Sequence, residues 1–207
     1  MKKLTNGVTW YRMSVDSNGG LRAGTERLNQ YALVIYFPDP LAHFLDELRL
    51  ELVAGCRPRA HVTVLPPRPL GDVDKALDEA AIMIPEYPPF EIEAGDVEVF
   101  PETHVIYIGV SKGAGELRAM HGTMNTGPLA FDEPFVYHPH ITLAQEFPAG
   151  ETERLASLAA DRWKAYTGPR SFHAEMVEFV QNTVGKRWLD LATFGLGQPA
   201  PVRKHRV

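Results

Sequence analysis

The sequence predicts an α+β fold of two lobes related by an approximate twofold axis, and three observations predict it. The tetrapeptide His61-Val62-Thr63-Val64 recurs as His140-Ile141-Thr142-Leu143, with the two histidines 79 positions apart. Around each copy the apolar patterning runs in the same order of strand, helix, motif strand, helix and strand. Equivalent points are offset by 73 positions (Leu33 to Ile106), 79 (the motif histidines) and 82 (Phe90 to Phe172). That drift is small enough for loops to absorb, as in an old duplication.

Taken in order, residues Met1 to Gln30 are polar and glycine-containing and read as an extension, mobile in part, whose Trp10 and Tyr11 could dock on the body. Tyr31 to Phe37 is a β-branched and aromatic run, a buried strand ended by Pro38-Asp39-Pro40. Leu41, Phe44, Leu45, Leu48 and Leu52 recur at helical spacing, so a helix is predicted over Leu41 to Val53 and closed by Gly55. The first motif strand is expected over Arg59 to Leu65, stopped by Pro66-Pro67. A helix over Val73 to Ile84 follows, then a hairpin of Phe90 to Phe100 and His104 to Val110 turned at Pro101-Glu102-Thr103. Gly113 to Asn125 reads as a helix, Pro139 to Gln145 as the second motif strand, and Thr152 to Tyr166 as a helix with Leu155, Leu158, Ala159 and Trp163 inward. Phe172 to Asn182 and Arg187 to Leu196 complete the body as a last hairpin. The predicted organisation is an extension (1–30), one bilobal domain (31–197) with repeats at 31–100 and 104–182 and a closing strand at 187–196, and a tail (198–207).

The 207 residues are 44% apolar and 23% charged, the balance of a globular protein with a real core. The longest apolar run, Tyr31 to Phe37, is too short to span a bilayer, and the basic start at Lys2 and Lys3 leads into polar residues. A cytoplasmic location and a monomer are expected. Cys56 is the only cysteine, so no intramolecular disulfide and no thiol-rich metal site can form. A net charge of −5 argues against a protein that grips a long duplex by its phosphates. Arg57, Arg59 and Arg68 flank the first motif and could form a local basic patch suited to a small phosphorylated ligand.

Side chains on a strand alternate faces, so His61 and Thr63 share one face of their strand, and His140 and Thr142 one face of theirs. Valine, isoleucine and leucine fill the other face and anchor the core. If the two halves pack with twofold symmetry, the histidines meet across a shared cleft. Paired imidazoles suit proton transfer near neutral pH, one taking a proton from the attacking oxygen and the other giving one to the leaving oxygen. The threonine hydroxyls can hold non-bridging oxygens of a tetrahedral phosphate between them. The reaction expected is opening or transfer at a phosphodiester, with no metal and no cofactor; His140 is assigned as base and His61 as acid. By position, Arg59 and His138 precede their motif histidines by two and share the cleft face. By repeat offset Tyr36 matches Gly109 and Val34 matches Tyr107, making Tyr36 and Tyr107 candidate base-stacking rings.

His61-Val62-Thr63-Val64 and Pro139-His140-Ile141-Thr142-Leu143-Ala144 resemble the paired signatures of the two-histidine (2H) phosphoesterase superfamily, in particular its bacterial 2'-5' RNA ligase and cyclic phosphodiesterase branch. The resemblance covers Tyr31 to Leu196 in element order. It implies pseudo-twofold duplicated antiparallel sheets with flanking helices. It also implies metal-independent hydrolysis of 2',3'-cyclic phosphates or related esters, with catalytic roles for His61 and His140 and phosphate contacts from Thr63 and Thr142. Gln145 stands where the ligase branch often has Arg after the second motif. The partner expected is a small cyclic nucleotide or an RNA end carrying a cyclic phosphate. Two other functions use the same cleft: a 2'-5' RNA ligase or end-processing enzyme, and a non-catalytic nucleotide- or RNA-binding module.

Overall fold

A computed structural model describes residues 26–56 and 59–197. The expectations for residues 1–25, Arg57 and the tail from Gln198 lie outside the described residues. Eight strands form a single sheet in which every pairing is antiparallel: β1 (Arg27–Tyr36), β2 (His61–Arg68), β3 (Phe90–Val99), β4 (Ile106–Lys112), β5 (His140–Ala144), β6 (Ser171–Ala174), β7 (Met176–Thr183) and β8 (Trp188–Gly195). Among the described residues four α-helices accompany them: α1 (Leu41–Leu52), α2 (Val73–Met83), α3 (Ala114–Met124) and α4 (Thr152–Ala165). The strand order is β6-β3-β4-β5-β2-β1-β7-β8. The predicted halves are therefore joined into one continuous sheet at the β2–β5 seam, through the pair Val62 and Ile141.

The order of strands shows that the halves are interwoven. β3 closes the first sequence repeat but pairs with β4 of the second, and β7 closes the second but pairs with β1 of the first. The helices cross in the same sense, α1 packing on β5 and α3 on β2. What the sequence suggests as one strand over Phe172 to Asn182 is two, broken at Glu175. β6 lies at one edge of the sheet and β7 at the seventh position, yet Glu175 alone joins them. In a flat sheet they would stand about 28 Å apart, six strand spacings. The sheet must curl to bring β6 round to β7, and Leu196 N, donating to Glu175 O at 2.8 Å, extends the β7–β8 ladder as far as that junction.

Strand alternation divides the side chains as expected. Leu33, Ile35, Val62, Val64, Ile106, Ile108, Ile141 and Leu143 point into one core that also takes Leu41, Leu45, Leu117, Met120 and Trp163 from the helices. On the other face Ala32, Val34 and Val180 form a small separate cluster with Tyr36 and Trp188. The helix-covered face holds the molecule together, and the opposite face carries the motif histidines and threonines.

Several boundaries differ from the sequence reading for physical reasons. β1 begins at Arg27, inside the presumed extension, because its polar residues find partners: Gln181 Nε2 donates to Leu28 O at 2.9 Å and Asn182 Nδ2 to Gln30 Oε1 at 2.6 Å. β2 runs through Pro66 and Pro67 to Arg68. A proline has no N–H to give a ladder, but β2 pairs with β5 only at Val62, and the β1 register shifts between Tyr31 and Leu33. Helix α3 starts after Gly113, whose φ is +87°. A Cβ there would lie 2.6 Å from Glu91 O, a backbone atom of β3, so glycine alone fits this turn.

Candidate active site

The four motif side chains meet at the seam. Val62 and Ile141 face each other across β2 and β5, and their neighbours His61, Thr63, His140 and Thr142 surround that pair on the opposite face. Antiparallel pairing sets His61 beside Thr142 and Thr63 beside His140, so the local twofold axis passes through the Val62–Ile141 pair. Val62 and Ile141 are each 0% exposed, which fixes both strands against the core.

The two imidazoles are held alike. His61 Nδ1 lies 2.7 Å from Arg59 O and His140 Nδ1 2.6 Å from His138 O, in each case the carbonyl two residues back. A carbonyl oxygen only accepts, so each Nδ1 carries the hydrogen and donates it. That leaves both Nε2 atoms for the cleft, with a lone pair in the neutral ring. The electrostatics break the symmetry. Burial pushes His61 down to about 4, opposed by the Arg59 carbonyl and assisted by the Arg49, His140 and Arg59 charges. His140 is also lowered by burial, opposed by the His138 carbonyl and assisted by the His138 ring.

Around the seam the strand registers repeat. Tyr36 on β1 pairs with His61 and Val34 with Thr63; Gly109 on β4 pairs with His140 and Tyr107 with Thr142. The walls differ in chemistry. On the first side Arg59 Cζ lies 3.6 Å above the Tyr36 ring, and both residues donate to Asp190 of β8, Tyr36 Oη at 2.9 Å and Arg59 Nη2 at 2.8 Å. Burial, offset in part by Arg59, pushes the Tyr36 hydroxyl up to about 12, so it stays a donor. On the second side Tyr107 stacks on Phe100 at 4.0 Å and donates to Glu98 Oε2 at 3.0 Å; burial and Glu98 push it up to about 12. The His138 and His140 rings stand edge-on to Phe100, at 5.4 and 5.1 Å.

Of the residues singled out in the sequence, His61, Thr63, His140, Thr142, Arg59, Tyr36, Tyr107 and His138 all lie around this seam. Burial closes off the stacking role expected for Tyr107, and one face of Tyr36 is taken. Arg59 covers a face of Tyr36, and Tyr107 is 4% exposed beneath Phe100. Phe100, half-buried, is the ring that borders the cleft. Nor does Arg68 join a basic patch. It is buried, paired with Glu133 and donating to Asn125 Oδ1 and Leu129 O, and so ties the end of β2 to the loop before β5.

Asp190, Phe100, Glu98 and Glu178 were not signalled as site residues by the sequence. Glu98 pairs across the sheet with Tyr107 and Glu178 with Val34, so each carboxylate sits one strand beyond the partner of a motif threonine. Their separation of 80 positions falls within the repeat offsets, a usable signal. Asp190 lies on the strand outside the repeat, and only the sheet order brings it to Arg59. Among the described residues, no group of three or more His, Cys, Asp or Glu side chains is placed to hold a metal ion. No helix among them is long and apolar enough to cross a membrane.

The arrangement is two neutral imidazoles with outward Nε2 atoms and two hydroxyls around one point, equipped to move protons at a tetrahedral centre. Residues 37–185 match the 2'-5' RNA ligase superfamily. No curated protein sequence matches the chain. In fold the chain is similar to Escherichia coli LigT solved with ATP, at 20% identity and a TM-score of 0.54, over 84% of this chain and 99% of that one. LigT solved with 3'-AMP gives 18% identity and a TM-score of 0.54, with the same coverage. Kluyveromyces marxianus Usb1 solved with uridine monophosphate is similar at 14% identity and a TM-score of 0.51, over 81% of this chain and 98% of that one. The match over most of the chain, with the duplicated histidine motifs at its seam, shows that this protein belongs to the 2'-5' RNA ligase superfamily, the two-histidine phosphoesterases.

Proposed function

We propose that the protein is a metal-independent phosphodiesterase that opens 2',3'-cyclic phosphates or related nucleotide and RNA phosphoesters by two-histidine acid–base catalysis. The observation that carries this reading is the matched pair of Nδ1-tethered imidazoles, His61 and His140, on the two sides of one symmetry point. The phosphate sits between them with its non-bridging oxygens on the Thr63 and Thr142 hydroxyls. One Nε2 takes a proton from water as the water oxygen bonds to phosphorus. The other, entering as imidazolium, gives its proton to the ribose oxygen as the P–O bond breaks, and solvent exchange restores both rings.

The sequence alone left His140 as base. The electrostatics favour the reverse, because burial, assisted by the Arg49, His140 and Arg59 charges, makes His61 resist protonation, so His61 is the base and His140 the acid. Arg59, fixed by Tyr36 and Asp190, adds a cation beside the phosphate. The substrate is small: a cyclic nucleotide or an RNA end, consistent with the net charge of −5 and with the nucleotides bound to the LigT and Usb1 neighbours. A monomer in the cytoplasm is sufficient for this role.

The test is turnover of nucleoside 2',3'-cyclic phosphates in the presence of a chelator. His61→Ala and His140→Ala are each expected to lower kcat by about 10² to 10⁴. Full activity in either variant, or loss of native activity to the chelator, overturns the reading.

A further inference from the structure

Among the described residues β2 and β5 register at a single pair, Val62 with Ile141, while every other junction of the sheet registers over several. Continued by two positions, that register sets Pro139 opposite Val64, and proline has no N–H with which to extend a ladder. The seam that carries both histidines therefore has little backbone pairing to fix where His140 stands against Thr63, its neighbour across the strands.

One side chain supplies a further rung. Tyr137, three residues before His140, reaches across to β2, and its Oη donates to Thr63 O at 2.6 Å. The carbonyl it holds belongs to the threonine assigned to the phosphate. Burial, assisted by the Glu133 charge and opposed by Arg118, pushes the Tyr137 hydroxyl upward, so it stays a donor near neutral pH. The ring is held in turn. His121 of α3 stacks parallel on it at 4.0 Å, and His121 Nε2 lies 2.9 and 3.1 Å from the two Glu133 carboxylate oxygens. Glu133 is gripped by the buried Arg68, which ends β2. The path from Arg68 through Glu133, His121 and Tyr137 to Thr63 thus starts and finishes on one strand, which leaves Tyr137 little freedom to slide along the seam.

We infer that Tyr137 is a positioning residue of the reaction: its hydroxyl sets His140 against Thr63, so that the proton donor of one half and the phosphate-holding hydroxyl of the other address the same phosphorus. This role rests on the phosphoesterase reading, and the experiment separates the two.

Tyr137→Phe removes the hydroxyl and keeps the ring on His121. Turnover of a nucleoside 2',3'-cyclic phosphate is measured on the full chain at a temperature where circular dichroism shows each variant folded. Tyr137→Phe is expected to lower kcat by about tenfold or more while KM stays within about threefold, because small misplacements of reacting groups act on the transition state. Added to His140→Ala, the same change is expected to lower kcat by less than about twofold further, since the group it aims is gone. A merely structural contact lowers both backgrounds by one factor; that result, or an unchanged kcat in Tyr137→Phe, overturns the inference. A second readout needs no turnover. In proton–nitrogen correlation spectra of the imidazoles, Tyr137→Phe is expected to move the His140 signals and to leave those of His43, exposed on α1, in place. Unmoved His140 signals overturn the inference as well. Native protein that turns over no cyclic phosphate, but whose His140 signals move in Tyr137→Phe, keeps the positioning contact and overturns the phosphoesterase reading.

Discussion

His61 and His140 are placed by the same local device, an imidazole folded back onto the carbonyl two residues earlier on its own strand. The device fixes ring orientation and tautomer together, so the outward Nε2 needs no carboxylate behind it. Because both pKa values lie below the ordinary histidine value, kcat/KM for a cyclic nucleotide is expected to follow a bell with its maximum below about pH 6.5. The two limbs belong to the coupled pair. A pH–rate profile flat from 5 to 8 would contradict this assignment. The same shift affects stability. Between pH 6.5 and about 4 the unfolded chain binds a proton at His61 that the folded chain refuses, so stability falls as pH falls through that window. Denaturant midpoints at pH 7 and pH 5 should therefore differ less in His61→Gln than in the native protein; an unchanged difference would show that His61 does not titrate this way.

At the scale of elements, a strand is positioned by its core face and works with the other. Ile141 and Leu143, wholly buried, hold β5 where His140 and Thr142 are wanted, and Val62 and Val64 do the same for β2. Two further contacts fix the loop that leads into β5: Tyr137 Oη donates to Thr63 O at 2.6 Å, and the buried Arg68 grips Glu133, which also meets His121. Arg68→Met would leave Glu133 without its main cation in a largely buried site, at a cost of about 3–5 kcal/mol. Thermal or urea unfolding should record that loss, and the double variant Arg68→Met with Glu133→Gln should recover part of it. Equal stability of the single and double variants would mean that the pair carries little of the coupling.

Across the whole molecule, each half completes the other. β3 and β7 pair outside their own repeats, α1 and α3 cover each other's motif strands, and Glu175 alone bridges the ends of the curled sheet. Neither repeat has a finished core by itself, so the two are expected to unfold as one cooperative unit. Trp163, which donates to Gly95 O of β3, and Trp188, at the start of β8, lie in opposite lobes and serve as probes. Fluorescence of Trp163→Phe and Trp188→Phe variants should give midpoints that coincide with far-ultraviolet circular dichroism once each variant's own stability is matched. Separate midpoints would mean that the lobes unfold independently.

Sequence determined what repeats and what alternates. The paired motifs, the order of elements, the period-two split that sends Val62 and Ile141 inward and His61 and His140 outward, and the helical face of Leu41, Leu45 and Leu48 are local properties, readable from spacing alone. It also gave the pairing of Tyr36 with Gly109 by offset, a correspondence that the strand registers repeat. Sheet order was not readable, because a strand's partners depend on packing among segments far apart in the chain. That order decided that β3 and β7 change lobes, that Glu175 breaks one predicted strand into two, and that Asp190 reaches Arg59 across 131 positions. It also decided which aromatic rings stay open, burying Tyr107, covering one face of Tyr36 and leaving Phe100 at the cleft. Burial, a property of the packed molecule, is what lowers both imidazoles and takes His61 down to about 4.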